Sequence, residues 1–192
     1  MHLIVVEDWD KALSIVRSEM GWWHEYYARA SRVIGALGLV LRVDGRDAGS
    51  VIYYKVTLPS LSIGVIYYVV VKSEYRGMGY GKILVASAEE LLQPVDMVVA
   101  TISGGNKASI ALFESMAYRL YSWEELDGVN SGLSEVIYRV TCSYEDDIVA
   151  IKTSLDLTKL KPGGLDIDES MRIWDLACYT PWRRLKKGRL YV

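Results

Sequence analysis

The sequence predicts an α/β (α+β) fold: a mixed, mostly antiparallel central sheet flanked by helices, with a C-terminal extension. Three observations predict it. IGVIYYVVV (63–71) carries no charge and reads as a buried strand. Before it come two apolar runs, 39–43 and 48–56, joined across Asp44–Gly45, a strong hairpin signal. After it comes KILVASAEELL (82–92), whose apolar residues at 83, 84, 88, 91 and 92 recur at helical period. Three meander strands followed by a crossover helix imply a sheet that is neither all parallel nor all antiparallel.

The elements follow in order. LIVV (3–6) reads as a short first strand, and Asp8 as the N-cap of a helix reaching about Met20. Gly21 punctuates. WWHEYYARASRVI (22–34) reads as a second helix, with Trp22/Tyr26 and Trp23/Tyr27 paired at i,i+4. The hairpin and the strand 63–71 come next, then the helix 82–92, stopped by Pro94. VDMVVATI (95–102) reads as a buried strand, SGGN (103–106) as a loop and KASIALFESM (107–116) as a helix. Strands are expected at 118–123 and 134–141, around a turn rich in Gly, Asn and Ser at 127–132. The expected division is a main domain over 1–145 and an extension over 146–192. The extension should pack on the main domain through Ile173, Trp174 and Leu176.

Composition narrows the function. Hydrophobic residues make up 51% of the 192, enough to bury a core. A net charge of −2 gives no bulk attraction to nucleic acid or to a membrane. The longest apolar run is nine residues, against about 20 for a spanning helix. MHLIVVEDWD lacks a basic leader and reads as a strand start, not a signal peptide. Two histidines and two cysteines make no metal or disulfide framework, so no metal is expected. A reduced, cytoplasmic protein is the expectation; one Cys142–Cys178 bridge stays open for a hyperthermophilic source.

The stretch EYRGMGYGK (74–82) places glycines at 77, 79 and 81, between the buried strand and the helix. Glycines there let a backbone approach something closely, and amides converging at a helix N-terminus suit phosphate. The spacing rejects two phosphate loops. A Walker loop would need glycine at Arg76 and a hydroxyl at Ile83. A dinucleotide fingerprint starting at Gly77 would need glycine at Lys82.

Arg-x-x-Gly-x-Gly does fit, as Arg76, Gly79 and Gly81. With it the chain resembles the GNAT superfamily of acetyl-coenzyme A-dependent N-acetyltransferases, whose pyrophosphate loop joins its fourth strand to its third helix. Asn106 and KASIALFESMAY resemble a second family segment, Asn-x-x-Ala-x-x-Leu-Tyr-x-x-x-Gly-Phe. The resemblance covers roughly residues 2–141. It implies acetyl-CoA as co-substrate and a primary amine as acceptor: a small molecule, a peptide N-terminus or a lysine. It implies that the backbone of Val69 and Val71 pairs with the pantetheine arm. Arg76, Gly77, Met78, Gly79, Tyr80, Gly81 and Lys82 would hold the diphosphate, and Asn106 would bond the pantetheine. The bland alternatives are sheet core for the valines and an N-cap for Asn106.

The catalytic positions depart from the family. The strand positions that usually carry a Glu hold Val65 and Tyr67, and the helical Tyr position holds Phe113. Tyr67 is the first candidate, because alternation can put it on the face of residue 65. Tyr68, and the carboxylates Glu25, Glu74 and Glu135, are the others. The segment GWWHEYYARA reads either as an aromatic acceptor wall or as a helix burying one stripe. The basic run Arg183 to Arg189 reads first as a solvated tail, with no nucleic-acid partner expected. Two functions from different classes follow: an N-acetyltransferase, or a non-catalytic acyl-CoA-sensing protein. The sequence leaves the oligomeric state open, a homodimer included.

Overall fold

The computed structural model describes residues 1–143, 145–161 and 165–188. The chain begins with β1 (Leu3–Glu7), α1 (Trp9–Met20) and α2 (Trp22–Ala30). Asp8 caps α1 by accepting from the Lys11 amide at 3.0 Å, as its position predicts. A 3₁₀ turn at Ser31–Ile34 ends the second helix earlier than its pattern suggests. The meander is β2 (Leu37–Val43), β3 (Arg46–Leu58) and β4 (Leu61–Val71). Asp44 and Gly45 turn the β2–β3 hairpin with φ of 48° and 80°, the two left-handed conformations that this dipeptide favours.

The crossover helix α3 (Tyr80–Leu92) leads to β5 (Met97–Ile102), α4 (Lys107–Ser115) and β6 (Arg119–Ser122). There the sequence reading needs correction. Residues 134–141 are not a strand but the second half of α5 (Trp123–Thr141). Leu126, Leu133, Val136, Ile137 and Val140 all lie buried on one helical face. Burial of each such side chain contributes about 1.5–3 kcal/mol, which overrides the local β propensity of Val, Ile and Thr. The Gly/Asn/Ser turn signal survives as a kink at Asn130, whose backbone leaves the helix at φ −164° and ψ 100°. The Asn130 amide donates to the carbonyls of Leu157 and Leu160, at 3.0 and 2.9 Å.

The seventh strand is β7 (Ile148–Thr153), inside the expected extension. The sheet order is β1-β2-β3-β4-β5-β7-β6, and only β4–β5 is parallel. Because β7 lies between β5 and β6, the boundary expected at 145 cuts ahead of a strand that the sheet needs. Helix α1, the Ala28 end of α2, and α5 cover one face, whereas α3 and α4 cover the other.

Beyond the sheet come α6 (Ile167–Trp174), a π-helical turn (Asp175–Tyr179) and α7 (Thr180–Gly188). Ile173 is buried in the main core, Trp174 packs beside Cys142 and Cys178, and Leu176 is exposed. The cysteines are joined in a disulfide with Cα atoms 5.4 Å apart, the bridge that the sequence left open, where the reduced state was the default. Arg189 and residues 162–164 of the expected loop lie outside the described residues. Among the described residues no helix is long and apolar enough to cross a membrane.

Candidate active site

The site begins where β4 and β5 part. Their parallel ladder runs only from Ile63–Met97 to Val65–Val99. Beyond it β4 continues to Val71 beside β3 alone. Its backbone polarity there follows from one bond: Lys72 donates its amide to the Ala48 carbonyl at 2.9 Å. Lys72 and Ala48 are opposite one another, so alternate residues 70 and 68 also bond toward β3. Val69 and Val71 therefore aim N–H and C=O groups away from β3, on the side that β5 has left, where the Val71 carbonyl accepts from the Arg76 guanidinium.

The register of β3 against β4 shifts between Ile52 and Tyr53, which face Tyr68 and Ile66. Tyr67 is the extra residue of this bulge. As a result Tyr67 and Tyr68 both pack on the Val65 side of the sheet, while Ile66, Val69 and Val71 face the other. The two tyrosine rings stand 4.7 Å apart.

The glycine loop continues from this edge. A 3₁₀ turn (Ser73–Tyr75) leads through Arg76 to Gly77 and Gly79, at φ 79° and 80°. A Cβ at either glycine would meet nothing within 4 Å, so backbone conformation is what requires them. Gly81 differs: its Cβ would stand 3.3 Å from Leu112 of α4, so it serves helix packing. In the first turn of α3 the Lys82 amide donates to the Gly79 carbonyl at 3.0 Å, and the amides ahead of it stand at a helix start, the kind of place that suits an anion. Arg76 is already engaged: its guanidinium donates to the Val71 carbonyl at 3.0 Å and to Glu19 at 3.1 Å. Met78 and Lys82 are exposed. The ring of Tyr80 is buried, with its hydroxyl 3.5 Å from the Met1 sulfur, so only its backbone is available to a ligand. Asn106 caps α4, its Oδ1 accepting from the Ser109 amide at 3.1 Å, and also lines the cleft described next.

A cleft of about 350 Å³ passes through the gap between β4 and β5. Trp23, His24 and Tyr27 of α2 wall one side, Phe113 of α4 another, and Trp182 of α7 a third. Tyr67, Tyr68 and Val69 form its β4 edge. His24 lies edge-on to Tyr68 at 5.9 Å. Burial, then the nearby Asp146 charge and Tyr27, push the Tyr68 phenol well above its ordinary range, and a hydrogen bond with Tyr67 acts against this. Phe113 is buried, edge to Tyr118 at 4.9 Å.

The cleft brings together Tyr67, Tyr68, Val69, Phe113 and Asn106. It leaves out the three glutamates considered as bases. Glu25 is clamped by Arg29 at 2.6 Å and Arg17 at 3.1 Å. Glu74 is exposed beside Ser73. Glu135 pairs with Arg139 on α5. The carboxylates that do line the cleft are Glu145, which is exposed, and the half-buried Asp146, both missed from the sequence. Their only local signal is an acidic run, Glu145–Asp147, and nothing local says that β7 carries them beside β5. Trp182 is missed for the same reason. The aromatics of α2 divide between roles: Tyr27 is core and cleft wall at once, while Trp22 is exposed. Among the described residues no three His, Cys, Asp or Glu side chains gather to hold a metal.

The fold is a mixed sheet with a splayed parallel pair that feeds a glycine-lined helix start. The profile of the Acetyltransferase (GNAT) family matches residues 4–118, and the chain belongs to that family. No curated protein matches. Among solved structures, Arabidopsis thaliana Naa50 in complex with the bisubstrate analogue CoA-Ac-MVNAL superposes with a TM-score of 0.55 at 14% identity. That match covers 80% of this chain and 99% of the other. The NatC complex bound to Gag peptide and CoA gives 0.54 at 15% identity, covering 81% and 99%. The IAA acetyltransferase from Bacillus cereus gives 0.53 at 18%, covering 63% and 79%. At these identities the likeness is one of fold.

Proposed function

We propose that this protein transfers the acetyl group of acetyl-CoA to a primary amine. The observation that carries the reading is the outward edge of β4, the Val69 backbone and the Val71 amide, which leads into the glycine-lined start of α3. An extended amide-bearing arm can add to such an edge as a strand does, and a diphosphate suits the helix start. Gly77 and Gly79 keep that approach open, Lys82 adds charge beside it, and the Asn106 side-chain amide faces the arm. Arg76 acts mainly by holding the loop against β4 and α1. Bound acetyl-CoA supplies the activated thioester.

The protein's own residues do the rest. The walls of the cleft orient the amine toward the gap; such orientation can contribute about 7–11 kcal/mol to the rate. Phe113 has no proton to give. Tyr67, with Tyr68 behind it, is the phenol proposed to protonate the departing sulfur.

The test is thermal unfolding with acetyl-CoA, ATP and NAD in parallel, followed by thiol release on an amine panel. At a hundredfold over its dissociation constant, a native-state ligand stabilises by about 2.7 kcal/mol. A shift with acetyl-CoA alone and amine-dependent thiol release are the expected results. A shift without release would favour the acyl-CoA-sensing reading. An equal shift with ATP would overturn both.

A further inference from the structure

Two carboxylates line the cleft, the exposed Glu145 and the half-buried Asp146, and Asp146 has no ion pair with Lys or Arg among the described residues. Asp146 lies between α5 and β7, and its backbone is pinned from several sides. The Trp123 indole donates to its carbonyl at 2.8 Å. The adjacent Asp147 amide donates to the Ile102 carbonyl at 3.1 Å, and the Asp147 carboxylate accepts from the Gly104 amide at 2.8 Å. The Asp146 side chain is fixed by Thr101 of β5, whose hydroxyl donates to Oδ2 at 2.7 Å. The titratable groups around Asp146 are His24 and Tyr27 of α2, Tyr68 of β4, and its neighbours Glu145 and Asp147.

A half-buried carboxylate with a single hydrogen-bond donor among the described residues is an incomplete arrangement. The missing partner is a cation or a donor arriving through the cleft. The acetyltransfer reading, on which this inference rests, requires such a visitor: the acceptor arrives as an ammonium ion and must lose a proton before it can attack. We propose that Asp146 anchors the ammonium group of the acceptor and takes its proton, and that the acceptor carries this group on an aromatic or apolar body. Trp23, Tyr27, Tyr68 and Trp182 are the walls that would receive that body.

The step balances. Asp146 accepts one proton from R–NH₃⁺, leaving R–NH₂ and a neutral carboxyl. The nitrogen lone pair forms the C–N bond to the thioester carbon as the C–S bond breaks. A second nitrogen proton matches the one delivered to sulfur, and Asp146 returns its own proton to water. The products are the amide, the thiol and one proton. Burial, then the charges of Asp147 and Glu145, raise the Asp146 carboxyl above its ordinary range, against the hydrogen bond from Thr101 and the charge of His24. A raised value makes it a stronger base than an exposed aspartate.

The experiment uses the full chain, acetyl-CoA and four acceptors: phenethylamine, spermidine, glucosamine and a tetrapeptide with a free N-terminus. Asp146→Asn should lower kcat/KM for phenethylamine roughly a hundredfold. It should weaken calorimetric binding of phenethylamine to the protein–CoA complex at least about tenfold, as a lost charge-assisted bond does. The thermal shift with acetyl-CoA should stay unchanged. Thr101→Val keeps the carboxylate but removes a bond that lowers its pKa, so the acidic limb of the rate profile should move to higher pH. A purely structural Asp146 would not move that limb. Turnover and amine binding in Asp146→Asn within about threefold of wild type would overturn the inference. Loss of the acetyl-CoA shift in that variant would also overturn it, by placing the carboxylate with the co-substrate. Wild-type turnover of glucosamine alone would overturn the acceptor class. No wild-type turnover of any of the four would instead remove the acetyltransfer reading beneath it.

Discussion

Cys142 and Cys178 close a covalent loop, 36 residues apart in sequence, between the end of α5 and the turn that opens α7. Cys142 lines the cleft, and Cys178 stands four positions before the cleft residue Trp182. The Tyr26 hydroxyl adds a second tie, donating to the Pro181 carbonyl at 3.0 Å. The bridge therefore holds one wall of the cleft in place. Replacing both cysteines by serine should lower stability by about 3–4 kcal/mol, from the loop entropy returned to the unfolded chain. It should raise the KM for the amine and leave acetyl-CoA affinity unchanged. Chemical unfolding with and without reductant measures the first effect, and steady-state kinetics the second.

The glycines of the loop should separate by mechanism. Gly79→Val forces a branched side chain into a left-handed conformation at about 1–2 kcal/mol, but its Cβ meets nothing within 4 Å. The fold should survive, and the acetyl-CoA thermal shift should vanish. Gly81→Val presses on Leu112 and should lower the unfolding temperature, with binding lost only in part. Equal acetyl-CoA binding by Gly79→Val and wild type would count against the diphosphate assignment.

These two glycines also show why the loop was legible in the sequence and the acceptor side was not. The loop is a local device: a strand, a six-residue spacing and a helix start lie within twenty residues of one another. Asp146 and Trp182 reach the cleft only because β7 inserts between β5 and β6 and a disulfide folds the C-terminal helices back. Neither event leaves a periodic trace near those residues. At 134–141 the sequence did carry the right pattern, with Leu133, Val136, Ile137 and Val140 at helical spacing. The glycines at 128 and 132 and the β-branched residues hid it, and only the burial of that face decides the matter.

Glu25 gives a pH signature. The hydrogen bond from Arg29, then the charges of Arg29 and Arg17, hold its carboxyl below the ordinary range against the opposing effect of burial. Its folded value is thus below its unfolded value. The stabilisation is complete above the unfolded value, near pH 4.5, and is lost as pH falls through the folded one. Glu25→Gln should cost about 1 kcal/mol at pH 7, since both arginines are more than half exposed. The two proteins should converge in stability at about pH 2. Unfolding curves at the two pH values make the comparison, and a constant gap would contradict the ion-pair origin.

The proton for the departing sulfur gives the last prediction. Phe113 lines the cleft where a phenol would have served, and the bulge at Tyr67 turns two phenols to the opposite side of the same gap. If Tyr67 supplies the proton, Tyr67→Phe should lower kcat roughly 10- to 100-fold, with acetyl-CoA binding unchanged. Tyr68→Phe should have a smaller effect, because its phenol acts behind Tyr67. Phe113→Tyr adds a hydroxyl that the reaction does not need, so kcat should stay within about threefold of wild type. A tenfold gain in Phe113→Tyr, together with no loss in Tyr67→Phe, would mean that the protein works without a phenolic acid. In that case water in the cleft, rather than the bulge, would complete the chemistry.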